Sequence, residues 1–319
     1  MVASPPPDAG ILVGSWPLGM PSAPSSFYAT LPRRVEELGF DALFTGDHLF
    51  AAGPSVDALA IAAAFAARTE MIIVGTGVLQ LGLREPVAAA KQIATIDCLS
   101  DGRFVLGVGV GGEFEDEWAA AGVPRENRGR RLDDYLDLAA SLWTGERVEY
   151  DGEFASVHGV VGSPRPARGG PPPIWVGGRT DAALARAARY DGWLAYAAST
   201  RRVRESVAKL AELRAELRVD PQVDGSDFTT GTVLWTYVAA SVETARDRIA
   251  QILGTRYRQD FDNFVEAFCA VGPVDEIARR VAEFREAGTS LVLCSPQCLA
   301  DEFLDQVEQL AEVPGLRRP

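Results

Sequence analysis

Residues 72–109, IIVGTGVLQLGLREPVAAAKQIATIDCLSDGRFVLGVG, hold one complete repeat of the plan on which the chain is built. An apolar, β-branched run (Ile72–Leu81) gives way at Glu85-Pro86 to an alanine-rich stretch with helical spacing that ends at Leu99. A second apolar run (Phe104–Gly109) follows. Proline suits the first turn of a helix because the N–H it lacks would have no partner there. A strand, a helix and a second strand in this order form a βα unit whose strands lie parallel. The alternation continues on both sides, with further strand-like runs at Ile11–Trp16, Ala42–Asp47, Ile174–Gly177, Trp193–Ala197, Val233–Ala239 and Leu291–Cys294. Helical patterns lie between them at Phe27–Leu38, Asp57–Arg68, Leu132–Trp143, Thr180–Tyr190, Val203–Leu217 and Val242–Leu253, and one follows at Ala300–Leu310. About eight such units predict an α/β fold, a closed (β/α)8 TIM barrel. An open doubly wound sheet is the alternative, which the missing early dinucleotide fingerprint disfavours.

Two connections are too long for the repeat and predict insertions after strands 4 and 7. Gly145–Pro173 contains a hairpin-like pair of runs about Asp151-Gly152 and then a proline-rich segment, whereas Tyr257–Pro273 adds a helix. Residues 1–9 read as a flexible leader, 10–312 as one barrel domain and 313–319 as a tail.

Composition narrows the function. With 31 Lys+Arg against 44 Asp+Glu, the net charge of -13 repels polyanions, so no nucleic-acid partner is expected. The longest apolar stretch, Ala58–Ala67, is half of the roughly 20 residues a bilayer span needs, and Met1–Pro7 lacks the basic start of a signal peptide. A cytoplasmic protein with no membrane partner is therefore the expectation. Cys98, Cys269, Cys294 and Cys298 have no metal-motif spacing and read as structural thiols. With only His48 and His158, no multi-histidine metal centre is expected.

In such a barrel the reactive groups stand at the C-terminal strand ends. The second strand ends Gly46-Asp47-His48, where His48 is a candidate acid/base because imidazole exchanges a proton near neutrality, and Asp47 a candidate to bind substrate or tune it. His158, in the hairpin, reads as a surface residue. Gly75 and Gly77, in the third strand, mark a bulge against which a flat ring can lie, or else relieve crowding inside the barrel. The alternate glycines of Gly107–Gly112 strip side chains from the mouth, and Glu113 opens an acidic stretch that reaches Glu117. Glu113 can exchange a proton or cap a helix. Gly177-Gly178-Arg179-Thr180 combines backbone N–H groups, a fork donor and a hydroxyl at a helix start, a combination that suits phosphate, with Thr180 as a plain N-cap the alternative.

These stretches, in this order, resemble the luciferase-like monooxygenase superfamily, and within it the deazaflavin branch that uses coenzyme F420. The resemblance covers Ile11 to Leu310. It rests on Glu37-Leu-Gly-Phe-Asp41 before Gly46-Asp-His48, Gly75-Thr-Gly-Val-Leu79 with Glu85-Pro86 and Lys91-Gln92, Leu99-Ser-Asp-Gly-Arg-Phe104 before Gly107-Val-Gly-Val-Gly-Gly-Glu113, Pro173-Ile-Trp-Val-Gly-Gly178, and Gly272-Pro273 with Glu286-Ala-Gly288. It implies a homodimer and hydride transfer between F420 and a small organic substrate: an alcohol or carbonyl, an enone or an imine. A non-prolyl cis peptide at Gly77–Val78 is implied, with Thr76, Gly77, Val78, Gly109, Val110 and Gly111 about the cofactor ring. Gly177, Gly178, Arg179 and Thr180 would hold its phosphate. His48 would be the acid/base, Asp47 its substrate-facing neighbour and Trp16 part of the substrate pocket. Glu113 departs from the sugar-phosphate dehydrogenase pattern, in which the carboxylate stands one position earlier, where this chain has Gly112. The alternatives are an FMN-dependent monooxygenase, which would need a flavin reductase as partner, and a non-catalytic flavin-binding relative.

Overall fold

A computed structural model describes residues 7–14, 25–50, 55–112, 114–217, 228–257 and 262–317. Eight parallel strands close into a barrel: β1 (Ala9–Val13), β2 (Ala42–Thr45), β3 (Ile73–Thr76), β4 (Phe104–Val108), β7 (Ile174–Gly177), β8 (Gly192–Ala195), β9 (Thr229–Val238) and β11 (Leu291–Pro296). Each pairs with the next in this order, and β11 returns to β1 through Ala9↔Val292. Closure leaves these strands no free edge.

Helices cover the outside because each carries an apolar stripe. In α10 (Val274–Glu286), Ile277, Val281 and Phe284 are buried at i, i+4 and i+7, while Asp275 and Glu276 in the first turn and Arg285 in the last match the helix dipole. The helices that bear on the site are α2 (Ala58–Ala66), α3 (Pro86–Leu99), α4 (Glu115–Ala120), α5 (Arg128–Trp143), α6 (Asp181–Ala187) and α7 (Thr200–Glu216). At the N-terminal end of the barrel, Asp41 accepts the backbone N–H groups of Asp8 and Ala9. Arg103 donates to Thr69 and to the carbonyls of Ala66, Thr69 and Ile72. Two of the stretches that carry the family resemblance thus hold the barrel together away from its mouth.

Both insertions are present. The first is an antiparallel hairpin, β5 (Arg147–Asp151) with β6 (Ser156–Val161), tied to α5 through the Tyr150 hydroxyl, which bonds Asp134 at 2.8 Å. His158 lies exposed on it. The second differs from the expected single helix. After α8 (Val242–Tyr257) and α9 (Asp262–Phe268) comes a four-residue strand, β10 (Cys269–Gly272), parallel to the outer half of β9. Four residues are too few for a periodicity to declare them, and only the partner strand makes them β. At the chain ends, Ala9 already belongs to β1, and Val313 and Leu316, read as tail, are buried in the core.

The barrel floor is filled. Phe44 and Trp175 stack inside it with ring centroids 5.5 Å apart and planes 14° from parallel. A Cβ on Gly75 would stand 2.4 Å from Phe44 Cε1, and one on Gly192 2.5 Å from Trp175 Cδ1. Real carbons do not approach so closely, so these two glycines are the space into which the aromatic plug fits. Of the two readings of Gly75, relief of crowding is the one the geometry bears out.

Candidate active site

Above the plug, at the C-terminal strand ends, lies a cavity of about 290 Å³. Gly46, Asp47, His48 and Gln80 line one side, Leu194, Tyr196, Val233 and Trp235 another, and Gly77, Val78, Gly109–Gly112, Gly177 and Gly178 lie between them. The Gly77–Val78 peptide is cis. The regular β3 ladder stops at Thr76, and pairing with β4 resumes through Leu79, whose N–H donates to Gly107 O at 2.8 Å. Val78 therefore projects between the glycines of neighbouring strands: a Cβ on Gly109 would lie 2.5 Å from Val78 Cγ2, and one on Gly177 2.8 Å from Val78 Cγ1. These glycines make room for Val78 as well as opening the mouth.

His48 is clamped by residues that follow β3 and β4. Its Nδ1 lies 3.0 Å from Glu117 Oε2. The other Glu117 oxygen accepts the backbone N–H groups of Leu49 (2.5 Å) and Phe50 (3.2 Å). Phe114, which precedes α4, meets the imidazole edge-on at 5.2 Å. Gln80 Nε2 is 3.1 Å from Asp47 O, 3.1 Å from His48 Nδ1 and 3.4 Å from Glu117 Oε2. The Glu117 side chain is 1% exposed and that of His48 19%, so the carboxylate is sealed while the ring borders the cavity.

Asp47 faces the other way. One carboxylate oxygen accepts Gln80 N–H at 2.9 Å and the other Arg84 Nη2 at 2.7 Å. Arg84 also donates to Asp57 at 2.6 Å, and Asp57 caps α2 by accepting Ala60 N–H. Burial pushes the Asp47 carboxyl above its ordinary range, although Arg84 and the Gln80 N–H oppose the shift.

The sequence matches the luciferase-like monooxygenase family over residues 16–291. The chain belongs to the luciferase-like monooxygenase family. An uncharacterised protein of Mycobacterium tuberculosis is 34% identical over 163 residues, 51% of this chain and 56% of that protein. The chain thus spans about half the length of such curated relatives. The F420-dependent glucose-6-phosphate dehydrogenase of Beutenbergia cavernae is 29% identical over 305 residues, 85% of this chain and 88% of that one. An F420-dependent secondary alcohol dehydrogenase, solved with an F420–acetone adduct, superposes with a TM-score of 0.80 at 18% identity, covering 98% of this chain and 99% of that one.

Within this luciferase-like barrel the expected residues separate into four groups. Asp47, His48, Gly77, Val78, Gly109, Val110, Gly111, Gly177 and Gly178 line one cavity. Thr76 does not: fully buried, its hydroxyl donates to Gly107 O at 2.7 Å. Arg179 and Thr180 border a separate surface groove with Arg201 and Arg202. There Arg179 donates to Ala197 O at 2.9 Å, and the Thr180 hydroxyl caps α6 by accepting Ala183 N–H. Trp16 and Glu113 lie outside the described residues. Glu117, Gln80 and Arg84 were not expected, since nothing local distinguishes them. Among the described residues no group of His, Cys, Asp and Glu could hold a metal ion, and no helix is long and apolar enough to cross a membrane.

Proposed function

We propose that this protein is an F420-dependent oxidoreductase that exchanges a hydride with a small organic substrate, an alcohol or carbonyl, an enone or an imine. The observation that carries the reading is that an imidazole held by a buried carboxylate and the Val78 projection border the same closed-bottomed cavity. The residues fit a flat, heteroatom-rich ring. The Gln80 Oε1 atom is buried with no hydrogen-bond partner beside Gly111, and a Cβ on Gly111 would stand 2.1 Å from it. A buried acceptor of that kind costs about 1–3 kcal/mol until it is met by a donor, which a ligand N–H or O–H provides.

Gly77, Val78 and Gly109–Gly111 would hold the ring, and Gly177 with Gly178 the start of its side chain toward Arg179 and Thr180. When bound, the deazaflavin supplies a two-electron hydride acceptor or donor. His48 handles the proton. As an alcohol is oxidised its hydroxyl proton passes to the imidazole, and in the reverse direction the imidazolium returns it to the carbonyl oxygen. The cavity walls exclude water and fix the substrate's orientation.

Titrating the purified protein with F420 and, separately, FMN tests the reading, with glucose 6-phosphate, propan-2-ol, cyclohexenone and a cyclic imine as candidate substrates. F420 binds more tightly than FMN, and one of the four changes the deazaflavin absorbance catalytically. Co-purified FMN, or FMN binding without quenching of F420 fluorescence, overturns it.

A further inference from the structure

We infer that Glu117 is a positioning residue that fixes His48 as the Nδ1–H tautomer, so that Nε2 is the nitrogen that exchanges a proton in the cavity. The inference rests on the reading of His48 as the acid/base and deepens it.

The contacts around the Glu117 carboxylate assign the hydrogens. Its Oε1 is met by two backbone N–H groups, of Leu49 and Phe50, which can only donate. Its Oε2 is met by the Gln80 amide nitrogen and by His48 Nδ1. That amide end is a nitrogen because two of its three neighbours, Asp47 O and Glu117 Oε2, are acceptors, and turning the amide over would set oxygen against both. A carboxylate surrounded by donors is stabilised as the anion. With donors at both of its oxygens the carboxylate acts as an acceptor, so the hydrogen in the 3.0 Å contact belongs to Nδ1. With the hydrogen on Nδ1, Nε2 is the basic nitrogen of the ring.

The arrangement is more than a helix cap. Glu117 lies 69 residues from His48 and reaches it from α4, while Phe114, at the start of the same helix, fixes the ring plane. When the imidazole takes a proton, the positive charge forms against a buried anion that is already oriented and needs no reorganisation. A buried carboxylate that holds an imidazole in one tautomer is worth several orders of magnitude in turnover where it has been removed from other enzymes.

The chain's two histidines make the tautomer directly readable. In the ¹⁵N-histidine-labelled full chain, with His158→Gln assigning the second ring, the neutral form of His48 shows a protonated-type Nδ1 and a pyridine-type Nε2. In Glu117→Gln, whose amide can donate to Nδ1, that pattern reverses or averages. Turnover with whichever of the four candidate substrates the wild-type protein accepts falls about 10²- to 10⁴-fold, while F420 affinity changes by less than about threefold and Glu117→Asp recovers part of the loss. An Nε2–H signature in the wild-type protein overturns the inference, as does a Glu117→Gln variant with unchanged tautomer and unchanged turnover. If Glu117→Gln fails to fold by circular dichroism, the wild-type spectrum alone decides. Should His48→Ala keep full turnover, the acid/base reading of His48 falls and this inference with it. A tautomer that stays Nε2–H while His48→Ala is impaired overturns the inference alone.

Discussion

Arg84→Ala tests the ion pair that ties Asp47, after β2, to the turn after β3. Arg84 joins Asp47, whose side chain is 1% exposed, to Asp57, which is 45% exposed. The Asp57 contact, half in solvent, contributes less than about 1 kcal/mol. Removing one partner of a buried pair costs about 3–5 kcal/mol, because the other charge is left unpaired. The Gln80 N–H still donates to Asp47 in the variant, so the lower part of that range, about 3 kcal/mol, is expected. For a chain of 319 residues that lowers Tm by about 4–5 °C. The loss depends on pH in a definite sense. Asp47 has its folded-state pKa raised by burial, so stability declines as pH rises from its unfolded value of about 3.9 toward the folded one. Without Arg84 that folded value climbs further. The deficit relative to wild type is therefore small near pH 4 and grows toward neutrality. Urea unfolding followed by circular dichroism at several pH values measures it, together with Asp47→Asn and the double variant. Arg84→Ala should cost clearly less in the Asp47→Asn background than alone. A loss below about 1 kcal/mol, or equal losses in both backgrounds at every pH, would refute the assignment of the pair as the clamp.

His48→Ala should bind F420 within about threefold of wild type yet lose about 10²- to 10⁴-fold in turnover, read by stopped-flow absorbance; equal losses in both make His48 a structural residue. Gly109→Val drives a side chain into Val78, so F420 affinity should fall along with about 1–3 kcal/mol of stability, and calorimetric titration beside thermal melts checks both. Arg179→Ala should weaken F420 binding by about 1.5–3 kcal/mol if the exposed Arg179–Thr180 groove takes the phosphate; unchanged affinity removes that assignment. Under native conditions a thiol reagent should reach only Cys98, since Cys269, Cys294 and Cys298 are buried and burial pushes the Cys294 thiol up to about 12; all four react once the chain is unfolded.

The barrel was legible because its strands announce themselves as short β-branched runs and its helices as longer amphipathic ones, and His48 because a lone histidine at a strand end is conspicuous. What stayed hidden is what depends on contacts across the chain. Glu117 is one acidic residue among several after β4, and only folding sets it beside a ring 69 positions away. Gln80 and Arg84 are separated from their partners by 32 and 37 positions. Asp47 was visible as a carboxylate at the right strand end, but its direction is set by Arg84, which no local pattern links to it. The glycines were plain in the sequence, yet what they make room for, Phe44 in one place and Val78 in another, is a property of packing.

β9 exchanges partners along its length. Thr229–Thr232 pair with β8, whereas Trp235–Val238 pair with β10. The wall therefore forks at the mouth between β8 and β9, and Tyr196 and Trp235 meet across the fork with ring centroids 5.7 Å apart. On the opposite side, where His48 sits, the strand ends are cross-tied by Gln80, Arg84 and Glu117. The two sides of the entrance are thus held by different sets of contacts. Tyr196 and Trp235 make none of the contacts described about the imidazole, so the fork and the ring's anchorage can vary as separate parts of one wall.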